Sequence, residues 1–486
     1  MASTSTDPAT NQPELKRVMG PGLLLLFIVG DILGTGVYAL TGDVAGEVGG
    51  AAWLPFLVAF AIATVTAMSY LELVTKYPQA AGAALYTHKA FGLHFLTFLV
   101  AFTVMSSGIT SASTASRAFA ANFAVAFGFN DSAGRITVIA LIFMLVVAAV
   151  NFRGVGESVK ANVVLTLVEL SGLLLVILIG FYAFVGSDTT DFSRVIAFDT
   201  AEDKNVFLSV TAATSLAFFA MVGFEDSVNM AEETRDPVRT FPKVMLTGLG
   251  VTGLVYVLVS ICAVAVVPVG ELKASDTPLL EVVRAGAPGL PMEDIFPIIT
   301  MFAVANSALI NMLMASRLLY GMAKQAVLPP ALGRVHAERR TPWVAIIFTT
   351  LLALGLIIGI GTVSEDAVLT LGGTTSLLLL AVFTIVNIAV LVLRRDDHAG
   401  PNTPSYDPTG PTPRGEHFRT PTFLPVIGAL CCAYLVTPLS GRDTNQYQVA
   451  AALLVIGVVL WAITWFSNRA LRSERTFVKD PSDLGG

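Results

Sequence analysis

Long apolar runs separated by short polar stretches dominate the chain from about residue 20 to residue 467. A membrane-crossing helix needs about 20 apolar residues for a hydrocarbon core of about 30 Å. Twelve runs approach or exceed that length, near 20–40, 52–73, 94–127, 136–151, 160–185, 206–230, 242–267, 294–322, 342–360, 368–393, 422–439 and 447–466. Each predicts a helix, because a lone strand in lipid leaves its N–H and C=O groups unpaired. The expected fold class is an all-α polytopic membrane protein with twelve transmembrane helices.

The polar segments complete the outline. Residues 1–19 carry neither the apolar core nor the small-residue cleavage site of a signal peptide and predict a disordered tail. Residues 268–293 alternate apolar and charged positions around Pro and Gly, as an external segment with a short surface helix would. Residues 396–421, rich in Pro, Thr and Gly, read as a flexible linker. It divides a core at 20–395 from two last helices at 422–467, which a short tail at 468–486 follows.

Two spans break their own pattern. The first contains "GDILGTG" at 30–36, and the sixth contains "SLAFFAMVGFEDSVNMAEE", with Gly223, Glu225 and Asp226 where the membrane is most apolar. A charge at a helix centre costs at least about 2.5–3.5 kcal/mol. These spans also open two sets of five, 1–5 and 6–10, and Gly-interrupted segments at matching positions in two halves point to the solute site of an inverted-repeat transporter. Unwound backbone offers N–H groups and a positive half-helix end to an anion, and free C=O groups to a cation. An amino acid zwitterion needs both. A Gly-rich stretch taken alone is also what close helix packing requires; it is the second break with its carboxylates that favours a ligand site.

Composition narrows the class further. Hydrophobic residues make up 54% and charged residues 13% of the 486, against about 25% charged in a soluble domain. The net charge of −6 indicates no nucleic-acid partner. Of the 29 Lys and Arg, 22 fall in or beside the segments on the side of the termini, six lie on the other side, and Arg117 sits within the third span. By the positive-inside rule both termini are expected in the cytoplasm, with the chain in the cell (inner) membrane. No Gly-Lys dipeptide occurs for a phosphate loop, so ATP-driven transport is not expected. The five histidines and three cysteines show no metal-ligand or disulfide spacing. No cofactor, metal site or catalytic constellation is expected, and the chain is read as a transporter and not an enzyme.

Four stretches, "VGDILGTGVYALTGDVAG", "SYLELVTKYPQAAGAALYTHKAFG", "FFAMVGFEDSVNMAEETRDPVRTFPKVM" and "ASRLLYGMAKQAVLPPALGRVHAERRTPWVA", resemble in order and spacing the amino acid-polyamine-organocation superfamily, nearest its cationic amino acid transporter branch. The resemblance covers about residues 15–395. It implies a LeuT-type fold of five plus five helices in inverted repeat with two peripheral helices. The implied activity is secondary transport of a small amino acid by alternating access, through proton-coupled symport or exchange. It also implies residue roles. The first break binds the substrate carboxylate at Ile32, Gly34, Thr35 and Gly36, next to Asp31. Carbonyls before Gly223 in the second break, at Phe218, Phe219, Ala220 and Val222, hold the amine. Phe219 gates the site, and Glu225 senses or couples protons.

Three positions depart from the family. Asp31 and Asp226 stand where relatives carry small or apolar residues, and Glu169 stands where proton-coupled relatives carry a lysine. Glu169 is either a proton carrier or a structural hydrogen-bonding group. The acidic residues leave open an amine or polyamine transporter, and the rival from another class is a non-transporting solute sensor of the same fold. The partners expected are an amino acid or amine, protons and membrane lipid. Arg117 reads as a helix-end residue reaching for the interface or as one half of an ion pair. Asn306, Ser307 and Asn311 either line the site or hydrogen-bond between helices. Pro237, Pro242 and Pro342 suit helix starts.

Overall fold

The computed structural model describes residues 19–79, 82–129, 132–154, 159–186, 190–200, 204–289, 291–339, 341–364, 366–397 and 417–470. The tails expected before residue 19 and after 470, and most of the expected linker, lie outside the described residues. The helices are α1 Pro21–Leu33, α2 Thr35–Val48, α3 Trp53–Lys76, α4 Gly82–Phe91, α5 His94–Ala126, α6 Ala133–Arg153, α7 Val159–Gly186, α8 Val206–Ala217, α9 Phe224–Ser227, α10 Pro237–Val266, α11 Val269–Ala274, α12 Pro278–Gly286, α13 Met292–Lys324, α14 Trp343–Val363, α15 Ala367–Asp397, α16 Phe423–Val436 and α17 Thr444–Ala470. Among the described residues 11 spans are long and apolar enough to cross a membrane, and Phe423–Val436 is a shorter apolar helix in the place of the eleventh expected span. The protein is all-helical and multi-pass.

The differences from the expected elements have local causes. The first span continues to Val48, because the apolar face of α2 persists beyond Leu40 through Val44, Ala45 and Val48, all buried. Pro237 does start α10, but Pro242 lies inside it, in the second turn, where it leaves the Val238 carbonyl without its i+4 donor while the helix still runs through. Residues 268–293 form two short helices before α13: α11 lies at the surface, with Gly270, Glu271, Lys273 and Ala274 exposed, whereas α12 is packed into the protein. Leu272, Leu279, Leu280, Val282 and Val283 are buried, and a Cβ at Gly42 of α2 would strike the carbonyl of Leu272. Helix α4 was not expected; its basic end, His88 and Lys89, hides an otherwise buried turn.

The first and sixth spans run antiparallel and are clamped at both ends. On the N-terminal side, Met19 N–H donates to the Glu233 carbonyl and Arg235 N–H to the Met19 carbonyl, each at 3.0 Å. On the far side, Ala51 N–H donates to Ala197 O at 3.1 Å and Asp199 N–H to Val48 O at 3.3 Å. Lys204 Nζ adds an ion pair to Glu47 at 2.8 Å. The start of one span therefore meets the end of the other, the relation an inverted repeat requires.

A polar seam ties α3 to α15 and α16. Ser69 donates to Asn387 Oδ1 at 2.7 Å, and Asn387 Nδ2 donates to Thr66 at 3.3 Å. On the N-terminal side Arg394 grips Glu72 with two parallel bonds, Nε to Oε1 at 2.7 Å and Nη2 to Oε2 at 2.5 Å. The pair is 8% and 4% exposed, and Thr420 N–H donates to the same carboxylate at 2.9 Å. Removing one partner of a buried pair strands the other charge and costs about 3–5 kcal/mol. Glu72→Ala is therefore expected to lower the thermal midpoint of the purified protein sharply, whereas Glu271→Ala, on the exposed face of α11, should leave it nearly unchanged. Equal midpoints would show that the pair contributes nothing.

Candidate solute site at the paired helix breaks

The break in the first span is one residue wide. Gly34 alone leaves the helical region, with φ −20° and ψ −153°; residues 30–33 belong to α1, and Thr35 and Gly36 already to α2. The expected unwinding of 30–36 is thus reduced to a sharp junction. It leaves the N–H groups of the first turn of α2 without i−4 partners. In the sixth span α8 ends at Ala217, a 3-10 turn spans Phe218–Met221, and a single α-turn, Phe224–Ser227, follows Gly223. The tighter turns change which carbonyls are bonded within the helix.

The two junctions touch through reciprocal glycines. A Cβ at Gly36 would stand 2.5 Å from Ala220 Cα, and one at Gly223 would strike the Asp31 carbonyl and come within 2.7 Å of Ile32 N. Gly34 faces Ser307 of α13, where a Cβ would stand 2.5 Å from Oγ, and Gly30 faces Thr166 of α7. The glycines of "GDILGTG" therefore serve close packing, and the same packing brings the backbones of both breaks to one place. Tyr256 of α10 donates its hydroxyl to the Ile32 carbonyl, just ahead of the junction.

A cavity of about 40 Å³ lies against this crossing. Asp31, Ile32, Gly34, Thr35, Gly36, Phe219, Val222, Gly223, Glu225 and Asp226 line it. Phe218 and Ala220 do not: the Phe218 ring packs on Phe383 with centroids 5.9 Å apart, and Ala220 is the residue pressed on Gly36. Ser307 and Asn311 join the lining, and Asn306 does not. Toward the N-terminal side the walls continue through Val104, Met314 and Leu318. Toward the far side Phe219 and Leu40, both buried, close over the crossing beside Gly372. At about 10–15 Å³ per water the space suits a few waters, so a solute needs the walls to part.

The charged groups around the cavity are of one sign. Asp31, Glu225 and Asp226 line it, and among the described residues no Lys or Arg does. Buried Glu225 lies within electrostatic reach of Tyr70 and Tyr86, whose buried hydroxyls have no hydrogen-bond partner among the described residues. The Thr35 hydroxyl is likewise buried and without a partner there. Glu169 lies off the cavity wall on α7, 0% exposed, and neither of its carboxyl oxygens has a hydrogen-bond partner among the described residues. Its backbone carbonyl accepts from Tyr38 at 2.7 Å. Arg117 sits near the first turn of α6 and the end of α14. It is 8% exposed, beside Gly361, with Nη1 donating to Thr137 at 3.4 Å.

Two parts of the wall were not expected from the sequence. Ser107, Gly108 and Ser111 of α5 line the cavity, and the run "MSSGITSAS" in an otherwise apolar span carried that signal. Thr375 of α15 also lines it, with its hydroxyl 2.7 Å from that of Thr110. Tyr256 had no signal, being one aromatic in an apolar run.

The chain matches the amino acid permease family over residues 23–463. It is 24% identical over 472 residues to a branched-chain amino acid permease of Bacillus subtilis (strain 168), covering 93% of this chain and 94% of that one. It is 28% identical over 401 residues to a methylthioribose transporter of the same organism, covering 78% and 82%. With the vacuolar cationic amino acid transporter 2 of Arabidopsis thaliana it shares 29% identity over 402 residues, covering 78% of this chain and 60% of that one. Since the match takes in both broken spans and nearly every other helix, this multi-pass chain belongs to the amino acid permease family.

Proposed function

We propose that the protein carries a small amino acid across the cell (inner) membrane by alternating access around the crossing of the two breaks, coupled to protons. The observation that carries this reading is the reciprocal contact of Gly36 with Ala220 and of Gly223 with Asp31 and Ile32 at the cavity wall. It sets a helix N-terminus, suited to a carboxylate, beside the 3-10 turn of Phe218–Met221, whose carbonyls suit an ammonium group. The unpartnered Thr35 hydroxyl supplies another donor for the carboxylate. Relatives named as amino acid permeases support the substrate class, and the distribution of Lys and Arg supports cytoplasmic termini. A screen of amino acids and amines for thermal stabilisation of the purified protein tests it, because a ligand that binds only the folded state raises the midpoint. No shift with any compound would count against it.

For the coupling proton the reading assigns Glu169, with Glu225 and Asp226 as further acidic groups at the cavity. An ionised carboxylate without a donor or counter-ion is costly in low dielectric, so the environment of Glu169 suits a neutral acid that exchanges its proton when α1 and α7 move apart. Glu169→Gln keeps the shape and loses the titration. The variant is expected to bind substrate much as wild type while its uptake loses most of its dependence on pH. A pH profile unchanged from wild type would assign Glu169 a structural role. The amine carrier remains the second reading, favoured by the three lining carboxyl residues.

A further inference from the structure

Arg442 lies between α16 and α17, on the far side, and is 8% exposed. Every N–H of its guanidinium is used. Nε donates to Leu435 O at 2.7 Å, Nη1 to Gly373 O at 2.9 Å and to Gln446 Oε1 at 2.8 Å, and Nη2 to Ser376 Oγ at 2.9 Å and to Ser215 O at 3.3 Å. All five acceptors are neutral. Burial lowers its pKa to about 10, which leaves it a cation at neutral pH.

Three of the five acceptors belong to α8 and α15, which lead into the far wall of the cavity, while Leu435 and Gln446 belong to α16 and α17. Ser215 of α8 is one turn ahead of the lining residue Phe219, and Gly373 and Ser376 of α15 flank the lining residue Thr375. Ser376 Oγ also donates to Ser215 O at 2.6 Å, so the two elements meet directly under the guanidinium. The same loop is fastened on both flanks, by Thr211 Oγ1 to Ser440 O at 3.1 Å and by Thr374 Oγ1 to Gln446 O at 3.4 Å. A cation paired only with neutral groups pays for its desolvation through these bonds, and water can replace each of them if a gap opens. A reversible closure needs that near balance.

We propose that Arg442 is a positioning residue, a latch that holds α8 against α15 and must release one of them before the cavity opens on the far side. The inference rests on the alternating-access reading and gives the two last helices a part in it, since their connecting loop supplies the latch.

Hydrogen exchange on the purified full-length protein tests it without any transport assay. Arg442→Gln is expected to speed exchange in 206–217 and 367–376 by about tenfold, while 386–395, at the N-terminal end of the same α15, stays at the wild-type rate. Unchanged exchange at the far side would overturn the proposal, as would faster exchange along the whole of α15, which marks general loosening. If Arg442→Gln does not fold, Arg442→Lys keeps the cation and loses most of the five bonds while leaving the Ser376–Ser215 bond in place; it should give a smaller increase confined to the same two segments, and its absence would overturn the proposal as well. A wild-type protein that never transports would sink the proposed function and leave this result readable on its own.

Discussion

Gly223→Leu is expected to abolish uptake in a protein that still folds and inserts, and Gly223→Ala is expected to cost about a hundredfold, the scale on which small displacements disturb a positioned site. The reason is contact and not only flexibility. A β-carbon at 223 meets the Asp31 carbonyl and the Ile32 nitrogen, which are backbone atoms and cannot rotate aside. Over-packing of that kind costs about 1–3 kcal/mol, and here the strain can be relieved only by separating the first span from the sixth. Gly250→Ala is the matched control, because nothing lies within 4 Å of a Cβ there. Initial uptake rates, with circular dichroism and the thermal midpoint to show folding, decide the matter. Near-normal uptake in Gly223→Ala would mean that the breaks do not meet at the substrate.

Asp31→Asn separates the two substrate classes. An ionised Asp31 about 4 Å from a substrate carboxylate would repel it by about 4 kcal/mol at an effective dielectric of about 20, roughly a thousandfold in affinity. An α-amino acid carrier must avoid that penalty, by protonating Asp31 or by turning it away. The account therefore expects wild type to bind an α-amino acid and ignore putrescine, and expects Asp31→Asn to keep amino acid affinity within about tenfold. If the ligand is instead an amine drawn by Asp31, Glu225 and Asp226, wild type binds putrescine-like compounds and the variant loses them by an order of magnitude or more. Competition against a labelled substrate measures both.

The spans were legible because a membrane helix states its length in apolar residues: the expected boundaries at 52–73, 94–127 and 206–230 correspond to Trp53–Lys76, His94–Ala126 and Val206–Met230. The breaks were legible because Gly34, Gly223 and their neighbouring carboxylates contradict that apolar pattern. What a residue touches across the bundle was not. Nothing in the sequence says that Gly36 faces Ala220, that Phe218 turns toward Phe383 while Phe219 turns to the cavity, or that Tyr256 reaches the Ile32 carbonyl. Those are consequences of how several helices pack at once. The same holds for Arg442, which reads as an ordinary loop residue until the neutral acceptors from α8 and α15 are seen around it.

The most direct test of the central claim is uptake of radiolabelled amino acids into proteoliposomes containing only this protein and lipid, under an inward proton gradient. The account predicts saturable, time-dependent accumulation of at least one amino acid, dissipated by a protonophore and absent with Gly223→Leu. Folded wild-type protein that accumulates no amino acid above protein-free liposomes would contradict it.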